Sequence, residues 1–155
     1  MNKVITQSSS FSDHKKVQVI ALDLEGTLIS NAISQIPRPH LYEFLDGCKS
    51  ITERVVMFTT VKEDKFRQIA QLLVSEGVTP AWFESMEYID WNSHKKDLSF
   101  IPSCNIESAV LVDDVEAYVE SGQEGQWLEI AQFSNPYPDS DVELLSMLRR
   151  LEELS

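Results

Sequence analysis

A doubly wound parallel α/β sheet is the fold class this sequence predicts, on two observations. Short apolar runs of strand length alternate with stretches in which apolar residues recur at helical spacing. The clearest runs also end in acidic or hydroxyl residues, the pattern of strands that deliver polar groups to one edge of an open sheet. Such alternation favours right-handed parallel crossovers, with helices on both faces of the sheet in three α/β/α layers.

Residues 7–16 are Ser-rich, polar and without periodicity, so residues 1–15 read as a flexible lead-in and residues 16–155 as a single domain. Val17-Gln18-Val19-Ile20-Ala21-Leu22 is the first strand, and Asp23-Leu24-Glu25-Gly26-Thr27-Leu28 follows at its exit, with Gly26 permitting a sharp turn. Residues 29–37 form a short connection. Pro39 then opens a helix over residues 40–48, with Leu41, Phe44 and Leu45 on one face. Val55-Val56-Met57-Phe58 is the second strand and ends in Thr59-Thr60. Residues 62–75 carry Phe66, Ile69, Ala70, Leu72 and Leu73 at helical spacing, and Gly77 marks the stop. Trp82-Phe83 and Tyr88-Ile89 each fit a short strand. Ala109-Val110-Leu111-Val112 is a third clear strand and delivers Asp113-Asp114. Residues 127–131 fit a last strand. After Asn135-Pro136-Tyr137-Pro138, residues 139–153 place Val142, Leu144, Leu145, Leu148 and Leu151 on a closing helix capped by Ser140 or Asp141.

At 155 residues and 43% hydrophobic content the chain can bury one core, not two. Its formal charge of -12, from 25 acidic and 13 basic residues with no basic run, argues against nucleic acid as a direct partner. Cys48 and Cys104 have neither metal-ligand spacing nor disulfide-scaffold density, so reduced thiols in a cytoplasmic setting are expected. No stretch approaches the ~20 apolar residues of a membrane span, and residues 1–10 lack the apolar block of a secretion signal. His14, His40 and His94 lack metal spacing, and Trp82, Trp91 and Trp127 read as packing residues. Oligomeric state is not legible.

Parallel strands share a direction, so Asp23, Glu25, Thr59, Thr60, Asp113 and Asp114 should emerge along one sheet edge. Clustered carboxylates repel unless a cation, a proton or a hydrogen-bond network offsets them. Oxygen donors without His or Cys select a hard cation, and Mg²⁺ combines a few carboxylates with water and substrate phosphate. A cation from Lys95-Lys96 between the second and third clear strands can hold the same phosphate, with Lys96 the first choice and Lys95 the second.

These residues resemble, in order, the four motifs of the haloacid dehalogenase superfamily: residues 23–28, Thr59, Lys96 and Asp113-Asp114. Arg38-Pro39-His40-Leu41-Tyr42-Glu43-Phe44-Leu45, Met57-Phe58-Thr59, Lys96-Asp97-Leu98-Ser99 and Val112-Asp113-Asp114 resemble its carboxy-terminal-domain phosphatase and NLI-interacting-factor-like branch, over roughly residues 17–151. The resemblance implies a Mg²⁺-dependent phosphomonoester hydrolase. In it Asp23 is the nucleophile that forms an aspartyl-phosphate, Glu25 the general acid and base, Thr59 a ligand of the phosphoryl oxygens, and Lys96 the cation that stabilises the phosphorylated Asp23. Asp23, the Glu25 backbone carbonyl and Asp113 are the implied metal ligands, with Asp114 assisting directly or through water. Glu25 stands where the superfamily usually has Asp. Residues 29–37 are too few for the folded cap of many relatives, which implies an open site suited to a phosphoprotein or to small phosphate esters. The alternative is a phosphatase-like protein-interaction module with little or no turnover.

Overall fold

The computed structural model describes residues 16–155, so the expected lead-in over residues 1–15 lies outside the described residues. Five strands form one parallel sheet: β1 (Val19–Leu22), β2 (Val55–Met57), β3 (Glu87–Tyr88), β4 (Ala109–Asp113) and β5 (Trp127–Glu129), in the order β3-β2-β1-β4-β5. The three apolar runs with the clearest sequence signal are the three central strands. Buried on both faces, a central parallel strand is apolar at every position, and that is why these were the legible ones.

The two faces of the sheet are covered differently. Ile20 and Leu22 share a face with Val55, Met57, Val110 and Val112, and all three α-helices of the described residues pack there. These are α1 (Leu41–Ile51), α2 (Glu63–Ser75) and α3 (Glu143–Leu154). Val19, Ala21, Val56, Phe58 and Leu111 face the other way and are covered by Leu98, Ile101 and Ile106, from short 3-10 turns and their connections. Handedness accounts for the division. From β1 to β2 to β3 the chain steps in one direction across the sheet, so right-handed crossovers place α1 and α2 on one face. From β3 it crosses to β4 and then β5 in the opposite direction, which sends those connections over the second face. Among the described residues that second layer holds no α-helix, and it is the layer from which Lys96 comes.

Local signals explain most boundaries. Gly77, at φ +74°, ends α2 in the left-handed conformation, its N–H bonded to the Val74 carbonyl and that of Val78 to the Leu73 carbonyl. Trp82-Phe83 forms a 3-10 turn (Ala81–Ser85) rather than a strand, because Phe83 is needed in the core against Phe66, their rings 5.5 Å apart. The last helix starts later than residue 139, at Glu143, whose N–H is accepted by the Asp141 side chain at 3.1 Å. No helix among the described residues is long and apolar enough to cross a membrane.

His40 precedes α1 at φ +69°, a conformation that costs a residue with a β-carbon about 1–2 kcal/mol. Its ring, partly exposed, hydrogen-bonds the Glu43 carboxylate at 3.1 Å. Glycine removes the clash and returns roughly half of the gain through its freer unfolded chain. His40→Gly should therefore raise stability by about 0.5 kcal/mol, read as a higher midpoint in urea unfolding; a lower midpoint would show that the exposed Glu43 contact outweighs the backbone strain.

Candidate active site

Register places the first two acidic groups side by side. Leu22 pairs with Val112, so Asp23 and Asp113 are the next residues along two adjacent strands, and the Asp23 N–H donates to the Val112 carbonyl at 3.0 Å. By alternation both follow Val19, Ala21 and Leu111 onto the face without α-helices. Lys96 reaches them from that layer. Its own N–H donates to the Tyr118 carbonyl at 2.7 Å, and its side chain is fully buried. The ammonium donates to Asp23 Oδ1 at 2.9 Å and to Asp113 Oδ2 at 2.5 Å, and lies 5.1 Å from the centre of the Tyr118 ring.

A fourth group closes the cluster. The Thr27 hydroxyl lies 3.1 Å from Asp23 Oδ2 and 3.0 Å from Asp114 Oδ1, and its single proton serves one of them at a time. Gly26, at φ +77°, makes the turn that brings Thr27 back over Asp23, and a β-carbon there would overlap the Asp114 carboxylate. One oxygen from each of Asp23, Asp113 and Asp114 lies within 4.8 Å of the others.

Two buried carboxylates against one ammonium leave the pocket short of positive charge. Burial pushes the Asp23 carboxyl up to about 7 against the pull of Lys96, with the neighbouring Asp114 adding to the rise. Burial, and then the Asp23 charge, push Asp113 up to about 6. For Lys96 burial works against the charge, but Asp23 and Asp113 outweigh it and hold the ammonium above its ordinary value. The donor set fits a hard divalent ion, since three carboxylates converge without nitrogen or sulfur and their excess negative charge is what such an ion offsets. Asp23, Asp113 and Asp114 are the residues that would hold it.

The centre opens into a cleft of about 360 Å³ whose walls include Glu25, Asn31, Thr60, Tyr118, Phe133 and Tyr137. Against known proteins, the family model of NLI interacting factor-like phosphatases matches residues 5–155. The chain belongs to that family. It is thereby placed in the carboxy-terminal-domain phosphatase-like branch of the haloacid dehalogenase superfamily, and no cap is evident among the described residues. No single curated protein matches it.

Within this member of the NLI interacting factor-like phosphatase family, the residues singled out by sequence separate into two groups. Asp23, Lys96, Asp113 and Asp114 converge. Lys95 turns outward to the Ala117 carbonyl at 2.9 Å, so of the two lysines it is Lys96 that reaches the acidic cluster. Glu25 and Thr59 make no hydrogen bond to the cluster. Glu25 lines the cleft while its Oε2 accepts the Ala32 N–H at 2.7 Å. Thr59 is buried beside the cleft, and its hydroxyl accepts the Val61 N–H at 3.1 Å and keeps its own proton to donate. It is the next residue, Thr60, that lines the cleft wall.

Sequence reasoning gave no role to Thr27 or to Arg38. Thr27 stood inside the acidic motif, four residues after Asp23, but its hydroxyl offered no signal of its own beside two carboxylates. Arg38 is 1% exposed and ties three segments together. It donates to the carbonyls of Gly26 and Thr27 at 3.3 and 3.2 Å, to Ala131 at 2.6 Å, and through two nitrogens to the Asp141 carboxylate, both at 3.0 Å. The turn that carries Thr27 is thus anchored to the start of α3. A cation interrupting a connection beside Pro39 was the available clue.

Two outcomes follow from these contacts. Arg38→Met leaves Asp141 unpaired in a largely buried position and should cost about 3–5 kcal/mol, measured by urea unfolding; a loss below about 1 kcal/mol would reduce the clamp to a surface pair. For the metal-free protein, Asp23 and Asp113 bind protons more tightly folded than unfolded. Their contribution is therefore full below the ordinary carboxylate range and is lost as pH rises through about 6 and about 7. In EDTA the melting temperature should fall from about pH 5 to about pH 8, and Mg²⁺ should restore more of it at the upper end, where protons no longer compete. An increment from Mg²⁺ that did not grow with pH would contradict ligation by these carboxylates.

Proposed function

We propose that this chain hydrolyses phosphate monoesters through a phosphorylated Asp23, with Mg²⁺ as cofactor. The observation that carries the reading is the Lys96 ammonium placed between Asp23 and Asp113, at the head of a cleft that also presents Glu25 and Asp114. Asp23 is held at both oxygens, by Lys96 on Oδ1 and Thr27 on Oδ2, so its orientation is fixed while each oxygen keeps a second lone pair. An Asp23 oxygen attacks phosphorus as the bond from phosphorus to the ester oxygen breaks, and the departing oxygen takes a proton from Glu25. Water then attacks the phosphorus of the aspartyl-phosphate, Glu25 takes the water proton, and the bond to Asp23 breaks to release phosphate and restore the carboxylate. Lys96 offsets the charge of Asp23 and of the phosphoryl group joined to it, and Thr59 donates its free hydroxyl proton to phosphoryl oxygens. Asp23, Asp113 and Asp114, with the Glu25 backbone carbonyl, would hold Mg²⁺, which would supply the positive charge that lets an anionic carboxylate approach an anionic phosphoryl group.

Glu25 must leave the Ala32 amide or share its oxygens with it to reach a leaving group, and its extra methylene relative to Asp provides reach across the cleft. Among the described residues no cap covers the cleft, which suits a phosphoprotein and a small ester equally well as substrate. Hydrolysis of a generic aryl phosphate in the presence of Mg²⁺ is the direct assay. Asp23→Asn should abolish it, and Glu25→Gln should lower kcat by roughly 10²- to 10⁴-fold. A folded wild-type protein without turnover would instead favour an interaction module, and a folded Asp23→Asn variant with unchanged turnover would remove the covalent mechanism.

A further inference from the structure

Thr60 lines two clefts. On one side is the carboxylate centre; on the other is a groove of about 610 Å³ bounded by Thr59, Lys62, Glu63, Tyr88, Asp90, Trp91, Asn92 and Ser93. Of the residues that line this groove, only Thr59 has a part in the chemistry above. Its aromatic residues are fixed by contacts to the segment leaving β2. The Trp91 indole N–H donates to the Thr59 carbonyl at 2.8 Å, and its ring meets Phe58 edge-on at 5.5 Å. The Tyr88 hydroxyl donates to the Val61 carbonyl at 2.5 Å. Both are half-buried, so the groove is pre-formed and needs no ordering of its aromatics when something binds.

The charge around it is unbalanced. Asp90 is exposed and has no ion-pair partner among the described residues, while Glu63 is paired with Arg67 at 2.9 Å. Lys62 is the one cationic residue on the groove wall. Burial, then the charges of Glu63 and Asp90, raise the Tyr88 phenol, and the opposing pull of Arg67 is the smallest influence. The groove therefore offers a cation two aromatic residues and an unpaired carboxylate, on a chain of net charge -12.

Building on the phosphatase reading, we propose that this groove binds the polypeptide flanking the phosphorylated residue and selects substrates with lysine or arginine there. A cationic flank also offsets the repulsion between an anionic phosphate and a strongly acidic surface. Specificity then comes from a preformed neighbour of the open site in place of a cap.

The test compares short phosphoserine and phosphotyrosine peptides whose flanking positions are Lys, Ala or Glu, with an aryl phosphate assayed in parallel. The wild-type protein should favour Lys over Glu flanks by about tenfold in kcat/KM, and Asp90→Lys, a substitution at an exposed position, should shrink or reverse that ratio. The same labelled peptides are titrated onto Asp23→Asn by fluorescence anisotropy, so that binding is read without turnover. If the aryl phosphate is not hydrolysed, the phosphatase reading fails, and the binding ratio alone decides the groove. Equal kcat/KM or equal binding for Lys and Glu flanks, or a ratio untouched by Asp90→Lys, overturns the inference.

Discussion

The site depends on one interaction, the Lys96 ammonium between the carboxylates of Asp23 and Asp113. Adjacent parallel strands in register deliver two acids to neighbouring positions, and at an effective dielectric near 20 like charges within 4.8 Å repel by roughly 3.5 kcal/mol. Lys96 offsets part of that cost and is offset by it in turn, since a buried ammonium without partners would surrender its proton. Burial, with neighbouring like charge adding to it, raises both carboxyls, and the remaining deficit of positive charge makes the centre receptive to a divalent ion.

The surrounding architecture keeps this arrangement in place. The layer over the second face consists of short 3-10 turns and loops, which lets the segment around Lys96 run close to the sheet and form a bridge with Val119. On the opposite side, the Arg38 clamp joins the turn after β1 to the loop after β5 and to the start of α3. Rigid support of this kind suits a reaction in which the nucleophile must meet phosphorus in line, because small misplacements of reacting atoms are costly. Among the described residues it also leaves the mouth of the cleft uncovered, and on the proposed reading selectivity falls to the groove beyond Thr60.

Much of this was legible in the chain. β1, β2 and β4 announced themselves because central parallel strands are apolar at every position, and α1, α2 and α3 because each buries one stripe. β3 was legible only as the Tyr88-Ile89 candidate, one residue out of place, and the turn before it was not, since a two-residue edge strand with an exposed Glu87 carries little hydrophobic pattern. The four convergent residues Asp23, Lys96, Asp113 and Asp114 were identifiable from residue type and their place at strand exits or beside a motif. Thr27 and Arg38 were not, because their importance lies in contacts with residues up to 103 positions away.

Alternation of apolar runs with amphipathic stretches determined, from sequence alone, that acids would collect at one edge of a parallel sheet, since strand direction is all that placement requires. The choice of Lys96 over Lys95, the retreat of Glu25 to the Ala32 amide, and the opening of Thr60 onto two clefts were decided by tertiary structure. Successive residues in an extended segment point opposite ways, and which of them faces the site depends on register against distant chain, a quantity that no local pattern carries.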